Sequence, residues 1–540
     1  MRISHNAFMA LVVLSPLVTA VKMEPVEKPE GIPTVPNIKN IAIIGAGAGG
    51  ASTAYHLEKF ADEAGIAINI TIFEREDRVG GRSKTVNAWD DSSLPFEVGS
   101  TMFIPENTIL VDAVAQAKLR LKTPEMGETQ GEFGVWNGEK FVYQHRLEPT
   151  DESLWEKLGR FWQYGFDSRK AQTLVEKKIK LFMKLYSKPY FPFRSLEKVV
   201  EGVGLKDVTK MTGPELLSKE NIGGNYVPEI IQPSTRVNYA SNLDETTGMQ
   251  LLMSTVPDRA YQVRGGNWQI FDYMASNSKA TINYQTAVAE INYDPDSKQD
   301  ARKDNGMLIY KLKVRKTDAD KSEALPYDVT FDDVVIAAPL QYTDMVLHSS
   351  MIPSDVRRIK YRKLHVTLFA TSNALSPSFF NLENPEDVPD MILTTLPDAE
   401  SPENDFGKTG RGPSGFYSMT RLRQAMNPKT GYYEYIWKIF SASEPSAEFM
   451  SKLLGEHVPD SRAATNEERS PISWYHSESF FAYPTGNPQG AIQPHIFKKG
   501  LWCTSTMETF TSSMESSALM GKNVAKLITM SYEEVPVIEA

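Results

Sequence analysis

Apolar residues follow three patterns along the chain, and each predicts a different kind of element. Near the start, "NIAIIGAGAGG" (residues 40–50) is a short continuous apolar run that breaks into spaced glycines. "GGASTAYHLEKFADEAG" then repeats its apolar positions at helical spacing, and "IAINITIFE" is a second apolar run. Strand, helix and strand in that order predict a βαβ unit over residues 38 to 74 with two buried parallel strands. From 151 to about 255 the helical period dominates. It is clearest over 166 to 187, where Ala171, Leu174, Val175, Ile179, Phe182, Leu185 and Tyr186 form one stripe. Lys170, Lys177, Lys178, Lys180 and Lys184 lie mostly opposite; this face is read as solvated, with contact to an anionic membrane surface as the alternative. After "RGGNWQIFDYMAS" the character changes to strands: "ATINYQTAVAEINYD", "GMLIYKLKVRK" and "YDVTFDDVVIAAPL". Residues 346 to 475 mix strands such as "KLHVTLFATS" and "YYEYIWKIFSA" with loops rich in Pro, Asn and Asp. The chain closes with "GLWCTST", a loop, and a helix from about Ser513 to Ile528.

A chain of 540 residues exceeds one ordinary core and should build two domains with room for a large cofactor. Its net charge of −10 excludes a phosphate-backbone partner, so nucleic acid is not expected. "MRISHNAFMALVVLSPLVTA" (residues 1–20) reads as a secretory signal, too short for a transmembrane helix. The following stretch to residue 38 carries four prolines in 21–37 and is expected to be an extended leader. Cys503 is the one cysteine, so no intramolecular disulfide forms. The sequon Asn69-Ile70-Thr71 lies in an expected strand interior, which favours an unused site over glycosylation. No metal-binding spacing is read from the chain.

Gly45-Ala46-Gly47-Ala48-Gly49-Gly50 satisfies G-x-G-x-x-G between a strand and a helix, the context that makes the motif informative. Gly45 permits the turn, Gly47 lets the backbone approach a pyrophosphate at the helix N-terminus, and Gly50 allows close strand-to-helix packing. Glu74 ends the second strand where a carboxylate accepts from a ribose hydroxyl, and Arg75 beside it is counted with the same site. "EREDRVGGRSKT" adds Gly81 and Arg82, and "PFEVGSTMF" adds Glu97, Gly99 and Ser100. These segments resemble the flavin amine oxidase superfamily, which implies FAD: glycine amides and an arginine extend the pyrophosphate and flavin contacts. Val288 in "INYQTAVAEINY" would offer its backbone to the adenine, or is an ordinary strand valine. Ser513, Met514 and Glu515 would place a helix N-terminus at the flavin, where amides favour negative charge on the reduced ring, or form a simple cap.

A narrower resemblance rests on "FWQYGFDSRKAQTLVEKKIKLFMKLY", "RVNYASN", "VRGGNWQIFD", "YIWKIFSASE", "FFAYP" and "METFTSSMESSA". Their order and spacing are similar to the prenylcysteine oxidase family, over about residues 39 to 530. The resemblance implies an α/β fold: a Rossmann-type FAD-binding domain (39–130, 256–345 and 481–535) interleaved with an α+β substrate-binding domain (131–255 and 346–480). It also implies an FAD-dependent oxidase that cleaves the thioether of a prenylated cysteine with water and molecular oxygen, giving cysteine, a prenyl aldehyde and hydrogen peroxide. Such a site needs a long apolar channel and no strong nucleophile. His365 is a candidate for orienting the attacking water, with a structural role as the alternative. Glu508 is a candidate for holding the substrate ammonium or a ribityl hydroxyl. Tyr239 and Trp268 are read as channel-lining or core, and Cys503 as a buried inert thiol rather than a flavin attachment point. Ile104 stands where a polar residue is expected. The rival expectations are an amine or amino-acid oxidase of the same fold, an oxidase of a prenylated secondary metabolite, and a flavin-retaining binding protein. The expected destination is the secretory route, ending in a lysosome or vacuole or outside the cell.

Overall fold

The apolar run at residue 40 becomes the strand Lys39–Ile44, which hydrogen-bonds in parallel to Ile68–Phe73 on one side and Asp333–Ile336 on the other. These contacts are seen in a computed structural model that describes residues 38–123, 132–146, 164, 166–255, 260–293, 308–397, 412–464 and 469–533. The six-stranded sheet runs in the order Ile496–Lys498, Leu501–Cys503, Asp333–Ile336, Lys39–Ile44, Ile68–Phe73, Thr281–Asn283. Its central strands are apolar on both faces, one covered by helices and the other by strands that carry Val288, Ile291, Tyr310 and Leu312. The helix Ala48–Ala64 lies against the C-terminal helix Met514–Glu533. A Cβ on Gly521 would overlap the Gly49 carbonyl oxygen, and Ser52 Oγ donates to the Ala518 carbonyl at 2.7 Å. Small residues therefore set how closely the first and last helices meet.

A second sheet of seven strands runs Ile472–Pro484, Tyr361–Thr371, Tyr433–Ser441, Ser418–Met426, Met391–Thr394, Glu132–Trp136, Phe141–Arg146. One face packs on Trp89, Phe96 and Val98 of the first segment. The other packs under the helix Ala447–Leu454. The helical part between these strands includes Phe166–Phe182, continued by a tight turn over Met183–Tyr186. Ala171, Leu174, Val175, Phe182 and Leu185 of the predicted stripe are buried there, and Ile179 and Tyr186 are partly so.

Two expectations are corrected. "ATINYQTAVAEINYD" is two strands in two sheets: Thr281–Asn283 closes the six-stranded sheet, whereas Thr286–Tyr293 joins Tyr310–Lys316 in a four-stranded one. The break falls at Gln285, whose φ of 50° is left-handed and reverses the chain. The last helix runs to Glu533, past the expected Ile528, because Tyr532 extends it to donate its hydroxyl to the Asp333 carboxylate. The sequon residues 69–71 lie within the strand Ile68–Phe73, as expected, with Asn69 exposed and bonded to Asn40 side chain to side chain at 3.2 Å. The signal, most of the leader and most of "ESPENDFGKTGRGPS" lie outside the described residues.

Candidate active site

The first glycine loop is held open by backbone contacts that only glycine allows. Gly45 has φ 103°, and a Cβ on Gly50 would overlap the Gly45 carbonyl oxygen, so the third glycine locks strand to helix. The second turn docks directly on the first. Gly80 N donates to the Ala46 carbonyl at 3.0 Å, and a Cβ on Gly81 would lie 3.2 Å from Gly47 Cα. Arg78, which the sequence reading passed over, pins this turn through the carbonyls of Ser83 at 3.1 Å and Gly81 at 2.8 Å. Trp268 packs behind Gly80 and donates its indole N–H to the Gly265 carbonyl at 3.1 Å. It is therefore part of the turn's support and not a channel wall.

Glu74 is buried and accepts from Ala46 N at 2.7 Å and Glu76 N at 2.8 Å, which aims its carboxylate at the glycine loop. Burial raises its pKa above the usual carboxylate range. Its backbone bonds Asn283 O and Thr286 N, so the strand of Val288 runs beside it. The pairing of that strand shifts register between Val288 and Glu290, a bulge that breaks the ladder next to Glu74. Arg75 is exposed and reaches the Tyr342 carbonyl at 3.3 Å, on the outer rim. It does not join the glycine loops.

Arg82 and Glu508 are brought together although 426 positions separate them. The guanidinium makes two bonds to the carboxylate, Nη2 to Oε1 and Nη1 to Oε2, the latter at 3.2 Å, and Nη1 also donates to the Ala482 carbonyl at 2.8 Å. Ser512 Oγ lies 3.4 Å from Glu508 Oε2, and the Tyr361 ring lies under the guanidinium. Glu508 thus latches the second glycine turn to the C-terminal segment through Arg82. Tyr239 stacks edgewise on Tyr483 and donates to the Ser512 carbonyl at 3.4 Å. Tyr361 and Tyr483, residues the sequence reading did not single out, complete this aromatic wall.

Gly99 ends the strand Pro95–Gly99 where a Cβ would meet Phe480 at 3.0 Å, and Ser100 turns the chain with φ 54°. Asn267 holds that turn, with Nδ2 donating to the Ser100 carbonyl at 2.8 Å and its amide to Glu97 Oε1 at 2.6 Å. Lys438 crosses from the seven-stranded sheet to the Glu97 carbonyl at 2.7 Å and Thr101 Oγ1 at 3.2 Å. His365 is elsewhere. Strand alternation puts Leu364, Val366 and Leu368 in the core with Phe96 and turns His365, paired with Ser441 and Ser479, to the opposite face. That is the face His365 presents, apart from the Phe96 core.

At the last helix, Ser513 Oγ accepts from Ser516 N at 3.0 Å and is a cap. The Glu515 carboxylate accepts from Ile109 N at 3.0 Å and Leu110 N at 3.1 Å, capping the helix Thr108–Gln116. Both side chains are therefore spent on protein contacts, while the first-turn amides of Met514 and Glu515 have no partner within their helix. Cys503 is fully buried, and burial pushes its thiol up to about 11, so it is a protonated core residue. Ile104 heads a turn in which its amide donates to Asn107 Oδ1 at 2.9 Å.

These surroundings fit FAD. The two opposed glycine turns leave backbone amides beside a helix N-terminus, Glu74 stands at the ribose end, and the bulged strand lies beyond it. Toward the other end, the buried hydroxyl of Ser83 has no partner in the protein, as expected of a group that meets a polar ligand, while the hydroxyls of Tyr361 and Thr511 have Glu508 and Tyr239 as neighbours.

Sheet order and glycine architecture define the flavin amine oxidase fold. Putrescine oxidase bound to putrescine superimposes with a TM-score of 0.54 at 13% identity, covering 91% of this chain and 99% of that one. Cyclohexylamine oxidase from Brevibacterium oxydans gives 0.51 at 14%, covering 92% and 100%. A Rossmann-like NAD(P)-binding domain profile matches residues 43–116. The prenylcysteine lyase family profile matches residues 147–536, and the chain belongs to that family. Farnesylcysteine lyase of Arabidopsis thaliana is 26% identical, over 90% of this chain and 87% of the relative. Prenylcysteine oxidase 1 of Bos taurus is 26% identical (91% and 88%), and that of Homo sapiens 25% (92% and 90%).

Proposed function

We propose that the protein is an FAD-dependent thioether oxidase that cleaves S-farnesyl- or S-geranylgeranyl-L-cysteine. The observation that carries this reading is family membership across residues 147–536 together with an intact dinucleotide cradle at Gly45–Gly50 and Gly81. When bound, FAD accepts hydride from the carbon beside sulfur and passes the electron pair to dioxygen. Water adds at the oxidised carbon and the carbon–sulfur bond breaks. One thioether, one O2 and one water thereby give cysteine, a prenyl aldehyde and hydrogen peroxide.

The chain's own share is placement. The glycine turns and Glu74 hold the nucleotide end, while Met514 and Glu515 present amides where negative charge is favoured. The Arg82–Glu508 latch keeps the C-terminal segment against the second turn, and Tyr239, Tyr361 and Tyr483 keep that region aromatic and close-packed. The signal-like stretch at 1–20 supports a secretory route to a lysosome or vacuole or to the exterior, which N-terminal sequencing of the mature protein from its cell would test.

The activity test is direct. Purified, flavin-loaded protein given farnesylcysteine in air should release hydrogen peroxide and farnesal in equal amounts. Peroxide from amines or amino acids alone would transfer the protein to the amine-oxidase reading, and no peroxide from any of them would make it a binding protein.

A further inference from the structure

On the helix Phe166–Phe182, Phe166, Arg169, Thr173, Lys177 and Lys180 recur at helical spacing, and Lys184 in the following turn continues the row. All are exposed, opposite the buried Ala171, Leu174 and Phe182. Lys188 follows, also exposed. Some lysines elsewhere are neutralised, Lys206 by Glu201 at 3.0 Å, Lys313 by Glu290 at 2.7 Å and Lys452 by Glu448 at 2.7 Å; others stand singly, and what sets this helix apart is that its cations share one face. Arg169, Lys177, Lys180, Lys184 and Lys188 make no ion pair or hydrogen bond among the described residues. On this row the acidic residue Glu176 bonds Gln172 at 3.1 Å, and Asp167 is held by Lys170 at 2.8 Å. A chain whose net charge is −10 thus gathers unneutralised cations on one ridge. Phe166, 78% exposed, stands at its head.

We propose that this ridge is a docking surface for an anionic lipid bilayer. Basic side chains on one helix face with an exposed aromatic among them match the negative potential of such a surface and its apolar boundary. The contact is peripheral, since no helix among the described residues is long and apolar enough to cross a membrane. A polyanion that needs a broad basic footprint is a poorer match, because the rest of the molecule is acidic. The inference stands apart from the catalytic assignment, and the ridge residues contribute nothing to the nucleotide cradle.

The test uses the full flavin-loaded protein, sedimented with phosphatidylcholine vesicles with or without phosphatidylserine. Binding is expected only with phosphatidylserine, and it should fall as salt is raised. Lys177→Glu/Lys180→Glu/Lys184→Glu should weaken it by well over tenfold, at about fivefold per basic residue, while the Lys→Arg triple variant binds as the parent does. Flavin absorbance and peroxide formation from soluble substrate should be unchanged in both, which separates this proposal from the catalytic one. Equal sedimentation with both vesicles, salt-independent binding, an unaffected charge-reversal variant, or retention on heparin without vesicle binding would each overturn it. If the reversed variant fails to fold, the salt series and vesicle comparison on the parent still decide.

Discussion

Glu97 shows how much a buried carboxylate depends on the atoms that are not aimed at it. Lys438 spends its ammonium on the Glu97 carbonyl, so the carboxyl keeps Asn267 N on Oε1 and no partner on Oε2. Gln262 lies within hydrogen-bond reach, and its Oε1 is likewise buried without a partner. Burial pushes Glu97 up to about 8 and Glu515 up to about 7, from an ordinary 4.5. Both folded values lie above the unfolded ones, so the folded state binds more protons between them. Their contribution is fully present below the ordinary carboxylate range and is lost as pH rises through about 7 and then about 8. The urea midpoint should therefore fall between acid and alkaline buffer, and Glu97→Gln should flatten the upper part of that fall. A midpoint that rises over the same range contradicts the reading. Glu508 is the converse case: its partner is a guanidinium, one-third exposed. Glu508→Gln should cost roughly 1–3 kcal/mol in chemical denaturation, below the cost of a wholly buried pair. It should also release FAD more readily on dilution, whereas Glu508→Asp should recover part of the retention.

Among the elements, the glycine-loop helix is the part most legible in the sequence, since its constraints are local. Gly50 faces Gly45 five positions back, so spacing alone reports the contact. Gly50→Ala forces strand and helix apart, and purified protein should show little flavin absorbance near 450 nm while the free Gly223→Ala, with no atom close to its added Cβ, is unaffected. Elements whose purpose lies across the chain are less legible. Ser513 and Glu515 were readable as a helix start, yet nothing nearby shows that Glu515 caps Thr108–Gln116, 405 to 406 positions away. Glu515→Ala should uncap that helix and cost about 1–2 kcal/mol of stability, with flavin affinity changing less than in Gly50→Ala. The face taken by His365 was illegible for a related reason. Its strand was predicted, but which face of a strand meets the cofactor is set by pairing with Ser441 and Ser479, one position of slip being enough to invert it.

Across the whole molecule, the parts assigned to FAD come from residues 45–50, 74–82, 99–100, 286–290 and 504–515, carried by three sheets that the chain enters and leaves repeatedly. The return of the chain was legible as changes of period; the meeting of Arg82 with Glu508, and of Gly49 with Gly521, was not, because it is written in no local pattern. That organisation makes the last segment depend on the cofactor. In the protein alone, the stretch from Thr504 to Ser513 is held by the Glu508 latch, by Tyr239 at the Ser512 carbonyl and the Thr511 hydroxyl, and by its packing. A ligand that meets those groups favours the folded state by RT ln(1 + [L]/Kd), about 2.7 kcal/mol at a hundredfold excess over Kd. Removing FAD should lower the unfolding temperature and, in hydrogen exchange, speed the amides of 504–515 and 80–82 selectively. The helix Ala447–Leu454, on the far face of the seven-stranded sheet, supplies the internal reference. Faster exchange there to the same degree means that FAD stabilises the molecule globally and that the latch does not localise its effect; unchanged exchange at 504–515 means that the C-terminal segment is not part of the cofactor site at all.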